Sequence, residues 1–164
     1  MPDVYLITGA GSGFGALAAR AIAKQGHIVY AGMHSADNDR HKPGAEAAKW
    51  AKENNADLRS VVLDLLSQDS CNSAVKEVLA GAGKLDAVVH NAGHMNFGPC
   101  ESFTAEQMLH LYDVNCVGTQ RLNQAVLPYM RAQRRGHLIW ISSSSVWGGK
   151  SPMLGAYFAA KAAM

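Results

Sequence analysis

Five short apolar runs alternate with stretches of helical periodicity along almost the whole chain. The runs predict strands over residues 4–9, 27–32, 58–65, 85–93 and 136–145. The intervening patterns predict helices over residues 14–25, 45–54, 68–80 and 105–133, with another helix from residue 155. Strands that are apolar throughout are typical of a parallel sheet buried under helices on both faces. Because right-handed crossovers leave few topologies, the pattern predicts an α/β fold with a doubly wound parallel sheet. Pro128 is expected to interrupt or bend the long helix near its C-terminal end.

The composition is that of one domain, which we place at residues 1–164, because 48% of the residues are hydrophobic and can form a core. The net charge is only +2, and the densest basic cluster holds three arginines within residues 131–135. A nucleic-acid partner is therefore not expected. No apolar run approaches the roughly 20 residues of a membrane span, and no basic segment precedes the first strand. We therefore expect neither a membrane partner nor a signal peptide.

The cysteines and histidines do not form a metal-binding pattern. Cys71, Cys100 and Cys116 are odd in number and widely spaced, which fits neither a disulfide framework nor a zinc site. A reducing, cytoplasmic setting is the simple interpretation. His90 and His94 have the spacing of two ligands on a helix, but they flank a strand end and a glycine. We therefore predict no metal site.

The segment TGAGSGFG, residues 8–15, directly follows the first predicted strand and opens the first predicted helix. Backbone N–H groups at a helix N-terminus attract phosphate, and glycines let the backbone approach a pyrophosphate closely. The alternative is a glycine-rich turn without a ligand. The position at the first strand-to-helix junction favours a dinucleotide-binding loop, whose candidate residues are Thr8, Gly9, Gly11, Ser12, Gly13, Phe14 and Gly15.

Near the end of the chain, Tyr157 and Lys161 stand four residues apart and so share one face of the last predicted helix. Such a pair is often only a surface contact. It is also the arrangement of a catalytic acid beside a lysine, because a nearby positive charge favours the ionised form of a tyrosine.

Five motifs occur in the order found in one family. They are T-G-x-x-x-G-x-G at residues 8–15, HNAG at 90–93, DVNCVGT at 113–119, ISSSS at 141–145 and Y-x-x-x-K at 157–161. Together they resemble the short-chain dehydrogenase/reductase family, in its compact single-domain branch. His90 departs from the first asparagine of the family's N-N-A-G motif. The resemblance implies a Rossmann fold and hydride transfer between a nicotinamide cofactor and a carbonyl or secondary-alcohol substrate.

The resemblance also implies four catalytic residues. Tyr157 would be the acid/base, and Lys161 would support it and bind the nicotinamide ribose. Asn115 would hold a water that links Lys161 to solvent. The catalytic serine of the family lies about thirteen positions before the tyrosine, which favours Ser144, with Ser143 and Ser142 as alternatives.

The cofactor itself follows from the end of the second strand. In the family register Met33 stands where NAD-binding members carry an aspartate, so NADP(H) is favoured and NAD(H) stays possible. His34 and Ser35 would contact the additional phosphate, although Asp37 lies close behind. The remaining cofactor-binding residues implied by the resemblance are Asp64 and Leu65 at the adenine ring, Asn91, Ala92 and Gly93 after the fourth strand, and Tyr157 with Lys161.

Family members normally continue beyond the Y-x-x-x-K helix, with two more strands and the segments that form the substrate pocket. We therefore expect a Rossmann domain that is incomplete at its C-terminus, truncated after the fifth strand and the start of the following helix. The full protein is expected to be a homodimer or homotetramer. The alternative functions are a non-catalytic dinucleotide-binding module and an inactive fragment.

Overall fold

The computed structural model describes residues 1–34, 43–148 and 152–164, and these contain a sheet of five parallel strands. The strands are β1 (Val4–Ile7), β2 (Ile28–Met33), β3 (Leu58–Val62), β4 (Ala87–His90) and β5 (His137–Trp140). Their order across the sheet is β3-β2-β1-β4-β5, and every neighbouring pair is parallel. The chain thus moves outward from β1 to one edge and returns to build the other half. The prediction of a doubly wound parallel sheet is confirmed.

Six helices accompany the strands in the described part of the chain. They are α1 (Gly13–Lys24), α2 (Pro43–Asn54), α3 (Gln68–Ala82), α4 (Ala105–Tyr112), α5 (Gly118–Ala132) and α6 (Gly155–Ala163). Short 3₁₀ turns occupy Cys100–Ser102 and Ser144–Trp147. Two of the three apolar clusters in the described residues cover the sheet, one on each face, and a small third cluster joins Leu111 to Ala156 and Ala160. Adjacent residues of one strand serve opposite faces: Leu6 belongs to one cluster and Ile7 to the other.

The long helical pattern over residues 105–133 is interrupted at a different place from the one predicted. A π-helical turn, Asp113–Val117, separates α4 from α5, whereas Pro128 lies inside α5. In this turn the Asn115 side chain competes with the backbone, because its Nδ2 donates a hydrogen bond of 2.9 Å to the Leu111 carbonyl. That carbonyl is the acceptor that an α-helix would give to the backbone N–H of residue 115.

The prediction of strands buried on both faces is wrong for β5. Its residues His137, Ile139 and Trp140 are exposed, and the strand ends at Trp140 rather than continuing to residue 145. The physical reason is its position, since β5 pairs with β4 alone among the described strands. An apolar sequence indicates that a strand tends to be buried, but it does not show whether another strand or helix packs against it.

A buried carboxylate anchors the N-terminal ends of β1 and β4. Asp86 is 4% exposed, and its Oδ2 accepts a 2.9 Å hydrogen bond from the Val4 N–H and a 2.7 Å contact from Lys84 Nζ. Burial alone would raise the pKa of the Asp86 carboxyl. The hydrogen bonds from Lys84 and Val4, together with the charge of Arg135, reverse this and lower that pKa below its usual value.

His90, the last residue of β4, is buried between the sheet and α5. Its Nε2 lies 2.9 Å from Asn123 Oδ1, so Nε2 carries the proton, and its ring stacks on Trp140 with centroids 5.0 Å apart. The other ring nitrogen, Nδ1, is buried and has no hydrogen-bond partner among the described residues. Burial lowers the pKa of His90 to about 4, although the hydrogen bond with Asn123 acts in the opposite direction.

This environment predicts that His90 makes the fold sensitive to acid. The unfolded chain binds a proton at this position below pH 6.5, while the folded chain stays neutral until about pH 4. The stability that neutral His90 provides is therefore complete above about pH 6.5 and is lost as the pH falls. Between pH 7.5 and 5.0 the free energy of unfolding should drop by about 2 kcal/mol on this account. Urea titrations of the wild type and His90→Asn at both pH values measure it, and an equal drop in both proteins would contradict it.

Candidate active site

The site is built where the carboxyl ends of β1 and β4 meet. Thr8 follows β1, and its Oγ1 accepts hydrogen bonds from the backbone N–H groups of Asn91 (3.0 Å) and Ala92 (2.9 Å). In return, Asn91 Nδ2 donates a 2.9 Å hydrogen bond to the Thr8 carbonyl. The glycine loop and the segment after β4 are thus held against each other by side chains from both.

Glycine is required in this loop at two positions. Gly9 has φ +64°, and a Cβ there would lie 2.8 Å from the Ala92 Cα. A Cβ on Gly15 would lie 2.5 Å from both Asn91 Nδ2 and the Gly9 carbonyl. Gly13, with φ +53°, is different, because nothing lies within 4 Å of its Cβ position. The loop therefore packs tightly against the protein at Gly9 and Gly15 and leaves open space at the start of α1.

The first cavity, of about 300 Å³, lies beyond the ends of β2, β1 and β4. Among the cofactor candidates, Asp64 and Leu65 line it from the segment after β3, and His34 lines it from the end of β2. His34 Nε2 is 3.7 Å from Asp64 Oδ2, and the His34 side chain is 79% exposed. Ser35 and Asp37, the other residues considered for the cofactor phosphate, lie outside the described residues. The described lining is Gly9, His34, Leu63, Asp64, Leu65, Leu66, Ala92, Gly93, His94, His110 and Val114.

The second cavity, of about 400 Å³, adjoins the first at Gly93 and His94, which line both. It brings Tyr157 and Lys161 of α6 together with the serine segment after β5. Its described lining is Phe14, Asn91, Gly93, His94, Met95, Ile141, Ser142, Ser143, Tyr157 and Lys161. The structure therefore places the dinucleotide candidates and the catalytic candidates along one continuous edge of the sheet.

Lys161 is 6% exposed, and its Nζ donates a 3.0 Å hydrogen bond to the Ile141 carbonyl. Burial lowers the pKa of the Lys161 ammonium. A Cβ added at Gly93 would be 3.6 Å from this Nζ and would also contact Asn115 Oδ1. Lys161 and Asn115 thus converge on one glycine, which has to be small for both to fit.

Asn115 is fully buried. Its Nδ2 donates hydrogen bonds to two backbone carbonyls, those of Leu111 (2.9 Å) and His94 (3.0 Å). Its Oδ1 is buried and has no hydrogen-bond partner among the described residues. A buried acceptor without a partner is costly unless a water or ligand supplies a donor. The structure thus provides a polar position beside Lys161.

The serine run divides into different environments. Ser142 and Ser143 line the second cavity, whereas Ser144 is exposed at the first position of the 3₁₀ turn and does not belong to the described lining. The Ser143 hydroxyl accepts a 3.2 Å hydrogen bond from the Ser145 N–H, and the buried Ser145 hydroxyl has no described partner. The assignment of Ser144 stays a prediction.

Several lining residues were not predicted from the sequence. His110 on α4 and Met95 after β4 are the clearest cases, since neither belongs to a motif. His94 had one signal, because it directly follows the glycine of HNAG. Its ring lies 5.6 Å from that of His110, between centroids. In the described part of the chain, no three histidine, cysteine or acidic residues are grouped to hold a metal ion. No described helix is long and apolar enough to cross a membrane.

Comparison with known proteins identifies the family. The family model described as short chain dehydrogenase matches residues 3–164. A 3-ketodihydrosphingosine reductase of Bacteroides thetaiotaomicron is 37% identical over 99% of this chain and 55% of that protein. Dehydrogenase/reductase SDR family member 7B of Xenopus laevis is 34% identical over 96% of this chain and 49% of that protein. The chain belongs to the short-chain dehydrogenase family.

Solved structures share the fold of this chain. An NAD⁺-bound xylitol dehydrogenase superimposes with a TM-score of 0.88 at 25% identity, over 98% of this chain and 60% of that one. A gluconate 5-dehydrogenase of Burkholderia cenocepacia, in complex with NADP and tartrate, gives a TM-score of 0.85 at 28% identity, over 98% and 61%. The chain spans about half the length of the curated relatives it matches.

The contact between Gly9 and Ala92 leads to a stability prediction with a matched control. Gly26 also has a positive φ of 84°, but nothing lies within 4 Å of its Cβ position. Gly26→Ala should therefore cost only the backbone strain, about 1 kcal/mol of unfolding free energy. Gly9→Ala adds a collision with backbone and should cost about 3 kcal/mol or more. Urea titration compares the two, and equal costs would contradict the close packing of the loop.

Proposed function

We propose that residues 1–164 form a dinucleotide-binding domain that takes part in hydride transfer between NADP(H) and a carbonyl or secondary-alcohol substrate. The observation that carries this proposal is the pair of adjoining cavities at the carboxyl edge of the sheet. One is lined by Gly9 of the glycine loop and by the adenine-ring candidates Asp64 and Leu65, and the other by Tyr157 and Lys161. Ligands of open α/β sheets bind at such an edge, where the strand order reverses.

The residues at this edge fit a dinucleotide. Gly13 leaves open space at the N-terminus of α1, where the backbone N–H groups of a 12-residue helix favour a phosphate. Asp64 and Leu65 would hold the adenine side, and Asn91, Ala92 and Gly93 would line the path between the cavities. The remaining loop candidates are Thr8, Gly9, Gly11, Ser12, Phe14 and Gly15. The bound nicotinamide supplies the hydride chemistry, while the protein supplies position and the proton.

Tyr157 is proposed as the group that exchanges a proton with the substrate oxygen. It lines the second cavity together with Lys161, one helical turn away. The Lys161 ammonium would stabilise the negative charge that develops on the tyrosine oxygen during proton transfer, and it would also bind the nicotinamide ribose.

A serine would donate a hydrogen bond to the substrate oxygen and stabilise the charge that develops there. Ser144 is the candidate from the sequence, and Ser143 and Ser142 are the candidates that line the cavity. Asn115 would hold a water through its free Oδ1, next to Lys161. This water would connect the lysine to solvent, so that the tyrosine can be reprotonated.

The preference for NADP(H) is supported by the end of β2. The residues there are Met33, which is buried, and His34, which is exposed. Neither residue type carries a carboxylate that could bind the ribose hydroxyls. A titration with NADPH and NADH, followed by nicotinamide fluorescence, should show saturable binding with NADPH preferred. His34→Asp should move the preference toward NADH by about tenfold or more, because a carboxylate repels the phosphate and accepts hydrogen bonds from the ribose. Preference for NADH in the wild type would contradict this proposal.

Catalysis is tested by Tyr157→Phe in the whole protein. This change should lower turnover of carbonyl substrates by about 1,000-fold or more, because the proton donor is lost, with NADPH affinity changed by less than about threefold. Normal turnover would contradict the proposed role. The single variants Ser142→Ala, Ser143→Ala and Ser144→Ala then assign the serine. The one that donates to the substrate should lower turnover by about 100-fold, and the other two should change it little.

A further inference from the structure

The first cavity has an unusual charge pattern for a site proposed to bind a polyanion. Its described lining contains three imidazoles, those of His34, His94 and His110, and one carboxylate, that of Asp64. It contains no lysine or arginine among those residues. A dinucleotide carries its charge on phosphate groups, whose usual protein partners are permanent cations or backbone N–H groups. Histidine differs from those partners because it acquires its charge by binding a proton near neutral pH.

Two of these imidazoles form a pair inside the cavity. His94 follows β4, His110 is on α4, and their ring centroids are 5.6 Å apart at an interplanar angle of 40°. His94 also lines the second cavity, so it stands where the two cavities join. Its backbone carbonyl is fixed by the 3.0 Å hydrogen bond from Asn115 Nδ2. The pair is therefore held at the junction that a dinucleotide spanning both cavities would cross.

The pair is poised to gain a proton when an anion arrives. Burial, and then the neighbouring His110, lower the pKa of His94, so the free protein favours the neutral ring at neutral pH. An anion acts in the opposite direction. Two unit charges about 8 Å apart at an effective dielectric constant of about 20 change a protonation equilibrium by roughly 30-fold. An anionic ligand in this cavity would therefore shift the pair toward its protonated form.

The other charged and titratable groups around the pair are distributed over several elements. Lys161 and Tyr157 of α6 face the second cavity beside His94, and the lysine is already hydrogen-bonded to the Ile141 carbonyl. Asp113, in the turn after α4, forms a salt bridge with Arg121, with 2.6 Å between Asp113 Oδ1 and Arg121 Nη1. The remaining groups are His34 after β2, Asp64 after β3 and Glu106 one turn before His110 on α4.

We propose that His94 and His110 act as a proton-linked anchor for the cofactor: dinucleotide binding takes up a proton onto this imidazole pair, so that affinity rises as the pH falls. The inference rests on the proposed function, since it concerns the same cofactor site. It goes beyond that function because it assigns binding energy to residues outside the family motifs. It also gives the chain a way to bind its cofactor more tightly in a more acidic compartment or state.

Isothermal titration calorimetry with NADPH tests this without any activity measurement. The same titration in phosphate and in Tris buffer at pH 7 gives the number of protons taken up, from the difference in apparent enthalpy. The wild type should take up about half a proton or more, and its affinity should fall about threefold or more from pH 7 to pH 8. The double variant His94→Gln/His110→Gln should lose most of this uptake.

A matched variant makes the assignment specific. His137→Gln removes an exposed imidazole at the start of β5 and should keep the proton uptake of the wild type. His34→Gln removes the third imidazole of the cavity, which is itself proposed to contact the cofactor phosphate, and should keep the part of the uptake that belongs to His94 and His110. The double variant and the wild type share any protonation of the cofactor's own phosphate, so the difference between them reports the protein alone.

The possible failures are distinguishable. Binding of NADPH by the wild type with no proton uptake would overturn the imidazole anchor and leave the proposed function intact. Uptake that disappears in His34→Gln and persists in the double variant would also overturn it. Absence of any NADPH binding between pH 6 and pH 8 would overturn the proposed function together with the anchor. A double variant that does not fold, as judged by circular dichroism, is replaced by the single variant His110→Gln on the more peripheral helix.

Discussion

The hydrogen bonds between Thr8 and the segment after β4 are the contacts on which the rest of the site depends. Parallel pairing aligns β1 with β4, and beyond the strands the Thr8 hydroxyl binds the backbone N–H groups of Asn91 and Ala92. Thr8 and Asn91 form hydrogen bonds to each other through both backbone and side-chain groups. Such bonds are needed where two loops pack together, because backbone polar groups without a partner are costly to bury. Gly9 can then contact Ala92 directly, and both cavities take their shape from this junction.

Polar groups are buried around this junction at considerable cost, and they are compensated in particular ways. Lys161 exchanges hydration for hydrogen bonds to the Ile141 carbonyl and the Met164 sulfur, and Asn115 uses its amide to hold the carbonyls of Leu111 and His94. The Asn115 contact lies within the π-helical turn. Such turns are frequent at functional sites, because they bring one side chain inward at the expense of a regular helix.

The charge distribution complements this rigid frame. In the proposed mechanism the catalytic candidates depend on a buried ammonium, while the described lining of the first cavity offers imidazoles. Imidazoles bind anions more weakly than guanidinium groups do at neutral pH. An anionic ligand, however, favours protonation of an imidazole and so increases its positive charge. Affinity for the cofactor is in this view a property of the protonation state as well as of shape.

Local periodicity and residue types at fixed spacing were enough to establish the alternation of strands and helices, the doubly wound sheet and the family. They also predicted that Tyr157 and Lys161 share a face, since four residues make about one helical turn. Which side chains meet became known only from the folded chain. It showed β5 as an exposed edge, the π-helical turn at Asn115, and Ser142 and Ser143 rather than Ser144 in the described cavity lining. It also brought His94 and His110 together, a contact for which the sequence carries no signal. Contacts between residues far apart in the chain depend on how elements pack, and neither periodicity nor spacing encodes that packing.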